Sequence, residues 1–152
     1  MATINFASDE AARGFEANKP GWYEASIDTS GTVPAGSTAN VTTSDTATLM
    51  KIAPYSRILD FYVEITTQEG ATATADFGIS GDDITNDPNG LDDAVNLNAS
   101  AGTLTRGVFG TDAGMAVNFG ASGGLITMNV DNDLDTAVFK IGVLVARGQD
   151  HA

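Results

Sequence analysis

The sequence predicts an all-β fold, an antiparallel β-sandwich, and three observations carry that prediction. Residues 46–67, TATLMKIAPYSRILDFYVEITT, hold two runs rich in strand formers on either side of Ala53, Pro54, Tyr55 and Ser56. In the second run Leu59, Phe61, Val63 and Ile65 alternate with Asp60, Tyr62, Glu64 and Thr66, the period of two that a half-buried strand requires. Along the rest of the chain, turn residues recur at intervals that leave room for roughly eight or nine short strands and no long helix.

The central stretch sets the pattern. Pro54 has no amide hydrogen to give to a ladder, so it interrupts pairing between the two runs. The first run is less regular, with Met50 and Ile52 opposed by Leu49 and Lys51. Upstream, residues 22–28 read as a strand ended by Ser30 and Gly31. Val33, Pro34, Ala35 and Gly36 form a turn, and residues 38–43 read as a short polar strand suited to a sheet edge. Downstream of Glu69 and Gly70, Ala73, Ala75, Phe77 and Ile79 oppose Thr72, Thr74, Asp76 and Gly78. Residues 81–102 are the longest irregular stretch, with a helical turn expected over 92–97. Residues 103–109, 115–119, 125–130 and 136–147 complete the strands, and 131–135 reads as a polar hairpin turn. Many short strands without helices point to two packed sheets of jelly-roll type, with an open barrel or an immunoglobulin-like sandwich as alternatives.

Residues 1–21 break the alternation. Phe6 and Phe15 stand among Asp9, Glu10, Arg13, Glu16 and Lys19, before the punctuation of Lys19, Pro20 and Gly21. The expectation is an N-terminal arm over 1–21, a β-sandwich domain over 22–148 and a short tail over 149–152. The arm is expected to dock on a partner or on its own domain. Phe6 and Phe15, with Trp22 and Tyr23 at the start of the sandwich, are the candidate interaction residues.

The chain has 152 residues, the length of one domain, with 42% hydrophobic residues and 17 glycines. Twenty acidic residues against seven basic ones give a net charge of −13, a field that repels phosphate backbones and argues against nucleic acid as a partner. There is no cysteine for a disulfide, a thiolate metal site or a nucleophile. No run approaches the roughly 18 apolar residues of a membrane span, and the first residues lack the basic and apolar regions of a secretory signal.

Catalytic chemistry has little to stand on. The one histidine is His151, next to the C-terminus, and no G-x-S-x-G elbow or phosphate loop is present. A calcium loop is suggested by Asp87 and Asn89 at alternate positions before Gly90. However, Thr85 stands where the first acid of an EF-hand belongs and Asn96 where its closing Glu belongs. A solvated, Asx-rich turn is the simpler expectation, for this segment and for Asp131, Asp133 and Asp135 alike. Neither a metal nor a cofactor is expected.

Three segments resemble the small head decoration, or cement, proteins of tailed bacteriophages that have jelly-roll build. Leu49-Met50-Lys51-Ile52-Ala53-Pro54-Tyr55-Ser56-Arg57-Ile58 with the strand after it is similar to their strand pair. Ala75-Asp76-Phe77-Gly78-Ile79-Ser80-Gly81-Asp82-Asp83, followed by Pro88-Asn89-Gly90-Leu91, is similar to their strand and acidic connector. Phe139-Lys140-Ile141-Gly142-Val143-Leu144-Val145-Ala146 is similar to their closing strand. The resemblance implies a non-enzymatic protein that binds the outer surface of an assembled capsid and stabilises it. Its partner would be the major capsid protein, it would self-associate as a homotrimer, and it would be made in the host cytoplasm for the virion exterior. The alternative is a carbohydrate- or receptor-binding jelly-roll module.

Overall fold

The computed structural model describes residues 2–7, 21–34, 36–108 and 111–147, and within them it is all β. Nine strands follow in order: β1 Thr3–Asn5, β2 Gly21–Asp28, β3 Thr46–Ile52, β4 Ser56–Thr67, β5 Thr74–Ser80, β6 Asp87–Asn96, β7 Leu104–Arg106, β8 Gly124–Val130 and β9 Val138–Arg147. They make two sheets, ordered β1-β3-β8-β5-β6 and β2-β9-β4-β7. From β2 to β9 the chain changes sheet at every step except β5 to β6, and every pair among those strands is antiparallel. That winding is a jelly roll, and it separates the fold from the immunoglobulin alternative.

The stretch 46–67 spans both sheets. Its first half is β3 and its second is β4, and Pro54 with Tyr55 turns the chain from one sheet to the other. Tyr55 takes a φ of 57° at this corner, and its N–H donates to Gly120 O at 2.8 Å. Both strands contain a bulge, between Thr48 and Met50 in β3 and between Ile58 and Asp60 in β4. An extra residue flips the faces of everything beyond it. Hence Ile58, not Leu59, joins Phe61, Val63 and Ile65 in the core, and Leu49 and Met50 are both buried. The untidy alternation in the sequence is that of a bulged strand.

The inner faces meet through aromatic rings. Phe77 of the first sheet lies 5.5 Å from Phe61 and 5.9 Å from Phe139, both of the second sheet, and all three are fully buried. Offset and edge-on rings at these distances attract one another beyond their shared burial.

Several expected elements come out differently. Residues 92–97 form no helical turn, because most of them belong to strand β6. β6 pairs with β5 through two irregularities, so that Asp87 faces Ile79 while Asp92 faces Phe77. The bulged segment lies over Gly78, where a Cβ would come within 2.1 Å of Asp87 O. Asp87 and Asn89 are therefore parts of a strand and not of a loop. Residues 115–119 form no strand either. Ala116 N bonds Ile58 O at 2.7 Å, Phe119 N bonds Ser56 O at 3.1 Å and Gly114 N bonds Gly90 O at 2.8 Å. The segment thus lies across the gap between β4 and β6, with two bonds to the first of these and one to the second, which closes that edge of the sandwich. Residues 38–43 reduce to isolated bridges, Thr32 with Thr38 and Val41 with Leu134. Residues 131–135 cross between sheets with Leu134 buried at their centre, so they are no hairpin.

The N-terminal segment begins on the domain itself. β1 runs parallel to β3, Phe6 N donates to Thr48 O at 2.7 Å, and Phe6 is partly buried against the core. The arm expected over 1–21 therefore starts as a strand of the first sheet. Phe15 and residues 149–152, His151 among them, lie outside the described residues.

Glu69 is a buried carboxylate, 3% exposed, that organises the 131–137 crossover. Its Oε2 accepts from Asp135 N at 3.3 Å, Thr136 N at 3.1 Å and Ala137 N at 2.9 Å. Leucine or alanine here leaves the buried Ala137 N–H and two partly buried amides without their partner, which is costlier than the loss of a bond exposed to water. Glu69→Ala is expected to destabilise the protein by about 2–4 kcal/mol, lowering the Tm by roughly 4–12 °C in a thermal melt. An unchanged Tm would show that these amides find water instead.

Candidate interaction face

The outward side chains of the second sheet form three rows, fixed by register. Trp22, Leu144 and Asp60 make the first; Glu24, Gly142, Tyr62 and Arg106 the second; Ser26, Lys140, Glu64 and Leu104 the third. At about 4.8 Å between strands, the patch runs roughly 15 Å from β2 to β7. Trp22 is 48% exposed and Leu104 50% exposed, both unusual for large apolar side chains on a strand. The outer face of the first sheet differs in kind. Its outward positions hold Thr46, Asn129 and Ser80, partly buried, and Thr48 and Thr127, which are buried, with no exposed large hydrophobic among them.

Tyr62 is the centre of the patch. Its ring lies across Gly142, where a Cβ would fall 1.9 Å from Tyr62 Cε1. Glycine in a strand gives up side-chain packing, and here the tyrosine ring fills that space. From this position the Tyr62 hydroxyl donates to Glu24 Oε1 on β2, two strands away. The indole of Trp22 sits 5.7 Å from the Tyr62 ring at 49°. Arg106 pairs with Asp60 at 2.7 Å, a solvent-exposed pair that orders the surface more than it stabilises the fold. The patch thus combines Trp, Tyr and Arg, held in place before any partner arrives, the composition of interface anchors.

The hydrogen bond to Glu24 pushes the Tyr62 phenol up to about 12, with desolvation and the charges of Glu24 and Glu64 acting the same way. Elsewhere burial raises Asp92, with the charge of Asp112 adding to it, and burial also raises Asp76. Asp92 Oδ2 and Thr105 Oγ1 are buried without hydrogen-bond partners. Among the described residues no three acidic, histidine or cysteine side chains converge as metal ligands would.

Of the residues singled out from sequence, Trp22 stands on this face. Tyr23 does not, because neighbours on a strand point to opposite sides, and it is partly buried against the core. Phe6 packs on the first sheet's side of the molecule, and Phe15 is outside the described residues. The sequence reading missed Leu104, Arg106 and Gly142. A glycine inside an otherwise apolar strand was the available signal for a close contact there.

No family model matches the chain, and no curated protein sequence matches it. Its fold does match solved structures. A chain from the capsid of Ralstonia phage GP4 superposes with a TM-score of 0.63 at 14% identity, covering 97% of this chain and 100% of that one. A chain of the capsid asymmetric unit of cyanophage Pam1 gives 0.56 at 15% identity, covering 89% of each. The class defined here is a jelly-roll β-sandwich with a preorganised aromatic outer face, and it shares its fold with chains of two phage capsids.

The phenol gives a direct check of this geometry. A tyrosine whose folded pKa lies above its unfolded value of about 10 stabilises the fold below pH 10, and that contribution is lost as pH rises through about 12. Absorbance titration is expected to show one late tyrosine transition near pH 12. Tyr62→Phe should remove it, and Gly142→Ala should shift it towards the ordinary value by displacing the ring. A wild-type titration without a late transition would contradict the Tyr62–Glu24 bond.

Proposed function

We propose that this chain is a non-enzymatic structural protein of a phage virion. In this reading it docks on the outer surface of an assembled capsid, with the major capsid protein as partner, and stabilises the shell. The observation that carries the reading is the match of fold over nearly the full length of both this chain and the Ralstonia phage GP4 capsid chain. The net charge of −13 favours the exterior over a DNA-filled interior. The surface of 7353 Å² leaves room for several contacts of about 800 Å² each, so that neighbours in a trimer and the shell could both be engaged. Many modest contacts repeated by symmetry hold a protein to a shell through avidity, with no need for a catalytic group. The outer face of the second sheet is the surface assigned to docking, with Trp22 and Leu104 as its anchors.

A carbohydrate-binding role is the second reading, favoured by the exposure of Trp22 beside Tyr62, since aromatic faces stack on sugar rings. A glycan array separates the two.

The test is occupancy on capsid shells that lack the protein, measured by co-sedimentation. Trp22→Ala and Leu104→Asp are each expected to weaken binding about ten-fold or more, as loss of an interface anchor does, with little change in Tm because both side chains are half exposed. Wild-type protein that does not bind shells would overturn the function. Wild-type binding that neither substitution weakens would move the docking surface elsewhere.

A further inference from the structure

The outer edge of β1, which pairs with no other strand among the described residues, is a second place where a partner can attach. Ala2 O accepts from Thr46 N at 3.1 Å, Phe6 N donates to Thr48 O at 2.7 Å, and the register pairs Thr3 with Thr46 and Asn5 with Thr48. A strand turns alternate peptide groups to its two sides, so Ala2, Ile4 and Phe6 bond β3 while the N–H and C=O of Thr3 and Asn5 face away. Those outward groups bond no described residue. Edge strands are ordinarily blunted by shortness, lysine, proline or a bulge; β1 is short, at three residues, but carries no lysine, proline or bulge.

Beside this edge runs a groove of about 470 Å³, bounded by residues 2–5 on one side and by Val33, Thr38 and Asn40 on the other. Among the described residues Asp45 is the one ionisable side chain lining it, and its carboxylate is already engaged by Thr42 N and Thr42 Oγ1, both at 2.9 Å. We propose that the groove receives an extended segment of another protein, which adds to the five-stranded first sheet as a further strand beside β1. Main-chain hydrogen bonds from Thr3 and Asn5 would supply the affinity, and the groove would select the side chains. Charge decides the occupant. A second copy brings another −13, which opposes self-pairing at an edge with no basic side chain among the described residues that line it, whereas an uncharged or basic segment with small or apolar side chains meets no repulsion.

This inference rests on the reading that the protein binds an assembled shell, and the experiment keeps the two apart. Hydrogen exchange is followed on the full chain, free and bound to shells lacking it, together with the occupancy of three variants. Thr3→Pro and Asn5→Pro each remove an outward N–H while sparing the bonds from Ala2, Ile4 and Phe6 to β3. Asn40→Glu leaves β1 untouched and adds negative charge to the opposite wall. The expected result is new protection over residues 2–7 on shells, with occupancy lowered about ten-fold by each proline variant, the equivalent of one to two backbone hydrogen bonds, and lowered by Asn40→Glu as well. Wild-type protein that fails to bind shells removes the functional reading and this inference with it. Wild-type binding without protection over residues 2–7, or with Asn40→Glu bound as tightly, overturns this inference alone. Free protein that self-associates and becomes monomeric in the proline variants would make a second copy the occupant, and would equally overturn it.

Discussion

The structure depends on the contact of Phe77 with Phe61 and Phe139 across the two sheets. Each sheet has one apolar face, and neither face is stable against water by itself. Three fully buried rings at 5.5 and 5.9 Å fix how the sheets sit on each other and how far apart they lie. The rest of the core, from Ile58 and Val63 to Ile126 and Val143, packs around that contact. Because the chain passes from sheet to sheet at almost every turn, no strand after β1 can leave its place without disturbing both layers.

Two sheets packed face to face leave open sides, and these the protein treats differently. On the β6–β7 side, Gly107, Gly114, Ala116 and Phe119 bond to the two sheets, and the approach is close enough to need glycine. A Cβ on Gly107 would meet Leu91 O at 2.0 Å, and one on Gly114 would meet Gly90 O at 2.7 Å. On the opposite side the first sheet ends in a short parallel strand whose outward peptide groups bond no described residue. Among the described residues, one side is sealed by the chain's own backbone and the other is not. The second sheet's outer face adds the Trp22–Tyr62 pair, so the surfaces suited to partners are built on strands and not on loops.

The candidate face was legible in part. Trp22 could be picked out because a tryptophan near the start of an alternating strand must face either core or solvent, and composition alone cannot say which. Pairing with β9 decided it, by turning Tyr23 inward. Tyr62 and Glu24 are 38 residues apart, and nothing local joins them. Their bond exists because β9 lies between β2 and β4 and carries a glycine at the crossing point. Glu69 carries no local signal of burial, since a carboxylate ordinarily stays in water unless it is paired. Its burial follows from the amides of residues 135–137, which approach it from the far end of the chain.

The sequence by itself determined the all-β class, the position of β2, β4, β5, β8 and β9, and the break at Pro54. Alternation, branched side chains and the missing proline amide are local properties, legible wherever the strand is regular. Tertiary structure decided the bulges in β3 and β4, the folding of 87–96 into a strand, and the use of 111–119 as an edge seal. It also decided which outer face carries the aromatics. These depend on hydrogen bonds between residues distant in the chain and on contacts that only a glycine permits. No pattern within a single segment encodes them, because the partner that makes each choice favourable lies on a different strand.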